Sequence, residues 1–276
     1  MSRLANFIAH TPVQTEEIAL FSLAQAGFCL TTAAGTRVII DPYLSDCCAT
    51  MFGFKRMIPA PLTPEEVQAD LFLATHAHAD HLDPEALPVY TRRTSTIFVA
   101  AADCREALST AGVPNERMHI LATGDGCTVR DINVHATYAD HGDLAPQAIG
   151  LLLTVNGITI YHTGDTGYAP APILASLHSS VDIMIAPING QFGNLDARQA
   201  CLLAAQVRPR LLIAAHFWMF IEHGGDPAIF RSEAEVLLPT TPALVLAPGE
   251  RVLFSRDAGL LATRTLEADG LTEEIM

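Results

Sequence analysis

Short runs of apolar residues alternate along the chain with polar segments that are rich in Gly, Pro, Asn and Asp. Apolar runs bounded by such turn-forming residues are typical of strands in a buried sheet. A strand region is predicted at 18–30, and a glycine turn separates it from the next strand at 35–41. Asn156-Gly157 predicts a tight hairpin, because this pair readily adopts the positive φ angles of a two-residue turn. The remaining strands are predicted at 128–136, 148–155, 158–162, 181–188, 211–215 and 243–247.

Helix signals lie between these strands. The segment 63–66 (Thr-Pro-Glu-Glu) has the composition of a helix start, with Thr as the cap and Pro in the first turn. Residues 103–111 are predicted to form a helix that ends at Gly112. Asp196 is predicted to cap a helix that runs to Val207. Strands separated by helices favour a mixed α/β fold.

One domain is predicted for residues 1–276, because the sequence has no repeat of fixed period and no low-complexity linker. The Pro-rich patch 59–64 is too short to separate domains. The segment 267–276 is acidic and has few apolar residues, so we predict a solvated, mobile tail there.

Acidic side chains outnumber basic ones by 30 to 16, which gives a net charge of −14. Such a surface repels a phosphodiester backbone, and the short basic pair Lys55-Arg56 is the candidate patch that could offset this repulsion locally. No apolar stretch reaches the ~18 residues of a membrane span. We therefore expect a small-molecule substrate, with neither nucleic acid nor membrane as a partner, and the sequence leaves a homo-oligomer open.

Two features indicate the compartment. The first residues lack the apolar core of a signal peptide. The 6 cysteines contain no Cys-x-x-Cys pair, which favours reduced, buried thiols over a disulfide framework. The sequence predicts a cytoplasmic protein.

The densest group of metal-ligand residue types follows the apolar run 71–74, where His76, His78, Asp80 and His81 lie close together. The i, i+2 spacing of His76 and His78 places both rings on one side of an extended segment. The helix of a zinc protease instead needs its two histidines at i and i+4. Imidazole and carboxylate bind Zn, Mn or Fe ions and, without thiolates, leave room for a water ligand. The alternative is a surface turn that happens to be rich in histidine.

Two further candidates also end predicted strands. Asp165 follows the strand 158–162, and the small residues Thr163 and Gly164 would let the backbone approach a metal there. A carboxylate at this position could use both oxygens to bridge two cations, although a simple turn aspartate is the alternative. His216 ends the strand 211–215 and is predicted to bind the second metal, with a buried, hydrogen-bonded histidine as the alternative.

A further histidine ligand between the 76–81 segment and Asp165 is less clearly indicated. His135 lies inside a predicted strand, so its ring could face either the core or solvent. His141 lies in the loop 139–143, and loops more often carry function. We prefer His141 and keep His135 as the alternative.

Three residues are predicted to bind substrate. Arg56 could hold an anionic group, Asn189 lies in a polar loop between a strand and a helix, and His223 precedes a predicted helix start at Asp226-Pro227. Each has a plain structural alternative: a solvated basic side chain, a polar turn, or a helix N-terminal turn.

The pattern His-x-His-x-Asp-His at 76–81 resembles the signature of the metallo-β-lactamase superfamily. The segments 27–44, 161–165 and 216–227 are similar to the branch typified by L-ascorbate-6-phosphate lactonase. The resemblance implies a four-layer αββα sandwich with two divalent metal ions, Zn²⁺ or Mn²⁺, at one edge of its two central sheets. The implied ligands are His76, His78 and His141 for one metal, Asp80, His81 and His216 for the other, and Asp165 between them.

The predicted function follows from two cations sharing a water, whose pKa falls towards ~7. A metal-bridged hydroxide would attack a small lactone or ester, among them a sugar-phosphate lactone, with Asp80 and Asp165 as the catalytic residues. The alternative is a phosphodiesterase of the nuclease or phospholipase D type. A metal-binding protein without catalytic activity is a third interpretation, which the complete ligand set disfavours.

Overall fold

The computed structural model describes residues 1–267 and 270–274. Two β-sheets lie at its centre, one with nine strands in the order β16-β15-β14-β1-β2-β3-β4-β5-β6 and one with seven in the order β13-β12-β11-β10-β9-β8-β7. The strands are β1 (Glu17–Ser22), β2 (Phe28–Thr32), β3 (Arg37–Ile40), β4 (Leu71–Ala74), β5 (Ile97–Ala101), β6 (Met118–Leu121), β7 (Gly126–Val129), β8 (Ile132–Tyr138), β9 (Ile149–Val155), β10 (Ile158–His162), β11 (Ile183–Pro187), β12 (Leu211–Ala215), β13 (Ala243–Val245), β14 (Arg251–Ser255), β15 (Gly259–Glu267) and β16 (Gly270–Glu274).

Helices occupy the connections between the strands. The α-helices are α1 (Arg3–His10), α2 (Cys47–Phe52), α3 (Leu87–Thr91), α4 (Arg105–Thr110), α5 (Pro170–Ser176), α6 (Ala197–Val207) and α7 (Pro227–Leu237). Short 3₁₀ turns lie at Pro64–Glu66, Ala102–Cys104, Asn115–Arg117 and Gly142–Leu144. None of the helices in the described part of the chain has the length and apolar character needed to cross a membrane.

Alternation along β9 shows how the layers are built. Leu151 and Leu153 belong to the core that the two sheets share, while Leu152 between them belongs to the cluster that includes Leu203 of α6. This period of two is expected of a strand whose opposite faces are both covered. On the outer face of the other sheet, Tyr90 of α3 packs against Phe72, with ring centroids 5.4 Å apart. Helices on both outer faces of two packed sheets confirm the predicted αββα arrangement.

Several predicted elements have the observed bounds, and others divide. The strands at 158–162 and 211–215 and the helix capped by Asp196 are confirmed. The predicted strand 18–30 was wrong in one respect, because it is two strands joined by a turn at 23–27. The predicted strand 128–136 also divides, at Arg130, whose φ of 54° belongs to a turn.

The predicted helix start at 63–66 forms only a single 3₁₀ turn. Its capping box is present, with Thr63 and Glu66 bonded reciprocally. The chain then becomes extended at Val67, where φ is −70° and ψ is 121°. A capping box therefore satisfies the first backbone groups but does not continue a helix when the next residues lead into a buried strand.

The acidic C-terminal segment contributes the edge strand of the nine-stranded sheet. Residues 270–274 form β16, which pairs antiparallel with β15, and Glu267 ends β15. Residues 268, 269, 275 and 276 lie outside the part of the chain that the structure describes. Residues 270–274 are therefore paired through their backbone and do not form the solvated tail that the sequence predicted. The predicted mobility of the segment stays a prediction.

Strand direction brings the predicted ligands to one edge. Strands β3, β4 and β5 are parallel to one another, as are β10, β11 and β12. Carboxyl ends of parallel strands share an edge of their sheet, and β8 ends there too because it is antiparallel to β9, which is antiparallel to β10. The loops after β4, β8, β10 and β12 carry the site.

Candidate metal centre

The predicted metal ligands converge at this edge. Among the described residues, three groups of side chains have potential ligand atoms that all lie within 4.8 Å of one another. The groups are His76-His78-His141, His76-His81-Asp165 and Asp80-His216-His223. His76 belongs to the first two groups, and His216 Nε2 of the third lies 3.3 Å from Asp165 Oδ2 of the second, so the three groups form one continuous centre.

His76 and His78 are positioned by the end of β4. The backbone N–H of Thr75 donates to Asp41 Oδ1 at 2.8 Å, and its hydroxyl donates to Oδ2 of the same carboxylate at 2.6 Å. These bonds fix the chain where the strand ends. The His76 Nε2 and His78 Nδ1 atoms then face each other 2.9 Å apart. Two imidazole nitrogens turned towards one point are suited to share a cation.

His141, and not His135, lies with these two rings. His141 is buried, and burial lowers its pKa to about 4, so the ring is neutral at pH 7 and its nitrogens can bind metal. The ring of His135 instead meets the ring of His178, with centroids 3.7 Å apart, in a different part of the molecule. The preference for the loop residue over the strand residue agrees with this geometry.

Asp165 lies between the two sides of the centre. Its Oδ1 is 3.4 Å from His81 Nε2, and its Oδ2 is 3.3 Å from His216 Nε2. Burial alone would raise the pKa of Asp165, but His216 and His81 hold it well below its usual range, so it is a carboxylate. Asn194 also donates to Oδ2 at 2.7 Å. Because Oδ2 is also 3.8 Å from His141 Nε2, the Asp165 carboxylate lies between His141 on one side and His81 and His216 on the other, as a bridging ligand requires.

Gly164 allows this approach. Its φ is 63°, and a Cβ atom there would lie 2.7 Å from the carbonyl oxygen of Ile149. A side chain at this position would collide with the backbone of β9, so the close approach of the loop depends on glycine.

His81 is oriented by Asp41, a residue that the sequence analysis did not assign to the site. The His81 Nδ1 atom lies 2.8 Å from Asp41 Oδ2, and both side chains are fully buried. Burial by itself would lower the pKa of His81, but Asp165, Asp80 and Asp41 raise it well above its ordinary value. Its Nε2, which faces the centre, is thus surrounded by negative charge that a bound cation could also satisfy.

Gln25 is a second residue that sequence reasoning missed. Its side-chain Nε2 lies 2.7 Å from Asp80 Oδ2 and 3.1 Å from both His216 Nε2 and His223 Nδ1. The backbone carbonyl oxygen of Gln25 accepts a hydrogen bond from the backbone N–H of His216 at 2.9 Å. Gln25 lies in the turn between β1 and β2 with a φ of 52°, and no ligand-type pattern in the sequence marks it.

The donor set fits bound metal. His81 Nε2 and Asp165 Oδ1 are buried and face each other across 3.4 Å without forming a hydrogen bond. A buried polar atom without a hydrogen bond costs about 1–3 kcal/mol, so a cation bound by these atoms would lower that cost. Histidine and carboxylate ligands without thiolate suit Zn²⁺, Mn²⁺ or Fe²⁺.

A cavity of about 250 Å³ opens over the centre. Its floor is formed by His78, Asp80, His141, Asp165, His216 and His223. Its walls are formed by Cys48, Phe52, Phe54, Ala79, Leu144, Phe192 and Phe220. Within the described part of the chain, no lysine or arginine lines it.

The prediction that Arg56 binds substrate is corrected by its contacts. Its guanidinium donates to the carbonyl oxygens of Tyr43, Ser45 and Ile58, at distances of 2.9–3.1 Å, and lies 4.5 Å above the Tyr43 ring. Only 7% of the side chain is exposed. These backbone acceptors and the stacked ring hold the Arg56 guanidinium away from the cavity. Arg56 therefore connects the loop at 53–58 to the segment that follows β3.

The other two predicted substrate residues behave differently from each other. Asn189 is buried, and its Nδ2 donates to the carbonyl oxygen of Gln191 at 3.3 Å. It shapes its loop and does not line the cavity, which corrects the prediction, whereas Phe192 in the same loop does. His223 does line the cavity, and its ring stacks on His216 with centroids 4.6 Å apart.

Comparison with known proteins adds to this geometry. Residues 36–217 match the family described as Beta-lactamase superfamily domain. The chain belongs to this superfamily. A UPF0173 metal-dependent hydrolase of Anaeromyxobacter sp. is 30% identical over 249 residues, which cover 83% of this chain and 84% of that protein. A UPF0173 metal-dependent hydrolase of Carboxydothermus hydrogenoformans is 30% identical over 241 residues, with coverage of 84% and 98%.

Solved structures of low sequence identity share the fold of this superfamily member. A metallo hydrolase from the archaeon Ignicoccus hospitalis has a TM-score of 0.69 at 24% identity and covers 87% of this chain and 99% of its own. An isothiocyanate hydrolase from Delia radicum gut bacteria has a TM-score of 0.70 at 21% identity, with coverage of 86% and 99%. The solved structures share the fold, and the family match with the 30% identical relatives identifies a metal-dependent hydrolase of the beta-lactamase superfamily.

Proposed function

We propose that this hydrolase binds two divalent cations, Zn²⁺ or Mn²⁺, and cleaves a small carboxylic ester or lactone. The observation that carries the proposal is the position of Asp165 beneath an open cavity: its Oδ2 lies 3.8 Å from His141 Nε2 of one ligand group and 3.3 Å from His216 Nε2 of the other. A carboxylate placed in this way offsets the repulsion between two cations held a few ångströms apart.

The ligands divide between the two positions. His76, His78 and His141 would hold one cation, and Asp80, His81 and His216 the other, with Asp165 between them. When bound, such a pair lowers the pKa of a shared water towards ~7 and polarises the substrate oxygen. His223 lies beside Asp80 and His216 and would face the substrate or complete the second position.

Asp80 is the side chain proposed to move a proton. Burial would raise its pKa, but His81 and His216 hold it well below the usual range, so it is ionised in the folded protein. Gln25 donates to Asp80 Oδ2 and fixes the carboxylate in place. Asp80 would take the proton of the attacking water and return it to the leaving alkoxide. In a lactone that alkoxide stays tethered, which favours its protonation in the site.

A phosphodiester or sugar-phosphate substrate is less well supported. The net charge is −14, the cavity floor carries two carboxylates, and Arg56 is held by backbone carbonyls. Nothing among the cavity residues offsets the charge of a phosphate beyond the cations themselves. The proposal is therefore confined to uncharged esters and lactones.

The test is a substrate panel with the metal-reconstituted full chain. Lactones and simple esters should be hydrolysed, activity should disappear with a chelator and return with Zn²⁺ or Mn²⁺, and bis(p-nitrophenyl) phosphate should react far more slowly. Efficient phosphodiester cleavage without any lactonase or esterase activity would replace this proposal with the phosphodiesterase function.

A further inference from the structure

We infer that the part of the substrate next to the scissile bond is uncharged and apolar, and that it binds against an aromatic wall formed by Phe52, Phe54, Phe192 and Phe220. This inference rests on the proposed function and specifies its substrate class. An aryl-substituted or alkyl-substituted lactone or ester would fit, whereas a sugar or phosphorylated lactone would not.

The aromatic wall is continuous. Phe54 lies at its centre, with its ring centroid 6.1 Å from that of Phe52, 6.1 Å from that of Phe192 and 5.9 Å from that of Phe220. Tilted aromatic rings at these separations interact favourably and present one apolar surface. The four residues come from helix α2, the loop after it, the loop after β11 and the loop after β12, so the wall is assembled by the tertiary structure.

The wall reaches the metal centre through His223. The His223 ring centroid is 5.4 Å from that of Phe192 and 4.7 Å from that of Phe220. The same ring also stacks on His216, with an interplanar angle of 14°. A substrate whose carbonyl lies over Asp165 and His216 can therefore place its adjoining group against His223 and the aromatic wall.

The exposure of the wall indicates an apolar occupant. Phe52 is 57% exposed and Phe192 is 44% exposed, and Leu144, 55% exposed, faces the same cavity. Large apolar side chains brought to one concave surface from separate segments are a feature of ligand sites. The covering group gains the free energy of removing this surface from water, which a hydroxyl-rich or charged group cannot provide.

Charge argues in the same direction. The cavity's ionised groups include the carboxylates Asp80 and Asp165, and no lysine or arginine lines it in the described part of the chain. An anionic substituent directed away from the metal ligands would lie against phenylalanine rings without a partner. Because the floor of the cavity is the metal centre itself, a small substrate explains the wall better than a docked protein or membrane.

The experiment compares lactones that differ in the group beside the ring. We would measure kcat and KM for δ-decalactone, δ-valerolactone and glucono-δ-lactone with the metal-loaded wild type and with Phe192→Ala, Phe192→Leu and Ile229→Ala. Ile229 is 50% exposed on α7 and does not line the cavity, so it is the matched control. For each substrate, the kcat and KM of a variant are divided by those of the wild type, because these ratios do not depend on the intrinsic reactivity of the substrate.

We expect Phe192→Ala to raise KM for δ-decalactone about tenfold, with kcat within about twofold, because ground-state binding to the wall is lost. Phe192→Leu should restore much of the affinity, δ-valerolactone should be nearly unaffected, and Ile229→Ala should resemble the wild type. A wild-type preference for glucono-δ-lactone, or an unchanged KM for δ-decalactone in Phe192→Ala, would overturn the inference and leave the proposed function standing.

A binding measurement distinguishes failure of the inferred apolar site from failure of the proposed reaction. Calorimetry of the metal-loaded protein should find 3-phenylpropionate bound about tenfold more tightly than propionate, and Phe192→Ala should remove the difference. Equal affinities for the two acids would contradict the aromatic wall as a binding surface. If the acids are discriminated as expected but no lactone or ester is cleaved, then the proposed reaction fails while the apolar site stands.

Discussion

Gln25 and Asp80, 55 positions apart in the chain, are joined by a hydrogen bond of 2.7 Å from the side-chain amide to the carboxylate. The contact lies inside the metal centre, since the same amide nitrogen is also 3.1 Å from His216 and from His223. This donor holds in one orientation the carboxylate that we propose to bind a cation and to move a proton.

Gln25→Ala should lower kcat about tenfold while metal content stays near that of the wild type, because Asp80 loses the donor that orients it but no cation loses a ligand. Elemental analysis and steady-state kinetics give the two readouts. Gln191→Ala, at a nearby exposed position, is the control. Loss of metal in Gln25→Ala would show instead that the amide holds the site together.

Asp165→Ala should abolish most activity, by about 10³-fold or more, and reduce the metal content below about 1.5 per chain, because the two cations lose the carboxylate between them. Asp143→Ala should behave as the wild type, since Asp143 is exposed in the turn after His141. Equal losses in the two variants would exclude the bridging role.

His141→Ala should lose one metal selectively, whereas His135→Ala should keep a normal metal content, because the His135 ring is paired with His178. Metal titration of the two purified variants is the measurement. If His135→Ala loses metal and His141→Ala does not, the assignment of the third histidine is reversed.

The stability of the metal-free protein should fall as the pH drops below about 6.5, the ordinary pKa of histidine, and His162 should contribute to this. Burial lowers the pKa of His162, whose Nε2–H donates to Ala26 and whose Nδ1 accepts the N–H of Gly164. The unfolded chain takes up a proton that the folded state resists, so the free energy of unfolding decreases by up to ~1.4 kcal/mol per pH unit below that point.

Urea unfolding of the chelated protein between pH 7 and pH 5 measures this slope. His162→Gln should reduce it by about 1 kcal/mol per pH unit, because a glutamine cannot take up a proton. His119→Gln, at an exposed position, should leave the slope unchanged. An identical slope in all three proteins would mean that His162 does not contribute.

Arg56→Ala should lower stability by about 2 kcal/mol, because the carbonyl oxygens of Tyr43, Ser45 and Ile58 lose a buried donor. KM for δ-decalactone should stay near that of the wild type, since the guanidinium does not line the cavity. Thermal unfolding and steady-state kinetics test this. A clear rise in KM for δ-decalactone would restore Arg56 to the substrate site.

Local patterns in the sequence determined most of the strands and most of the residues that could hold a metal ion. The apolar run 71–74 followed by His76, His78, Asp80 and His81 depends on residues close together in the chain, and the Asn156-Gly157 turn has its own conformational preference. Such short-range information sets where a strand ends and which chemistry follows it. Together with the family resemblance, this short-range information predicted the two-sheet fold. It also predicted the residues that converge on the centre.

The tertiary structure alone decided the residues whose role depends on distant partners. Arg56 looks like a free cation in the sequence, yet three backbone carbonyls and a tyrosine ring bind it. Gln25 has no distinguishing neighbours and acquires its role from Asp80 across the sheet edge. The aromatic wall is likewise assembled from separate segments, because burial and close approach are properties of the packed chain and no local pattern encodes them.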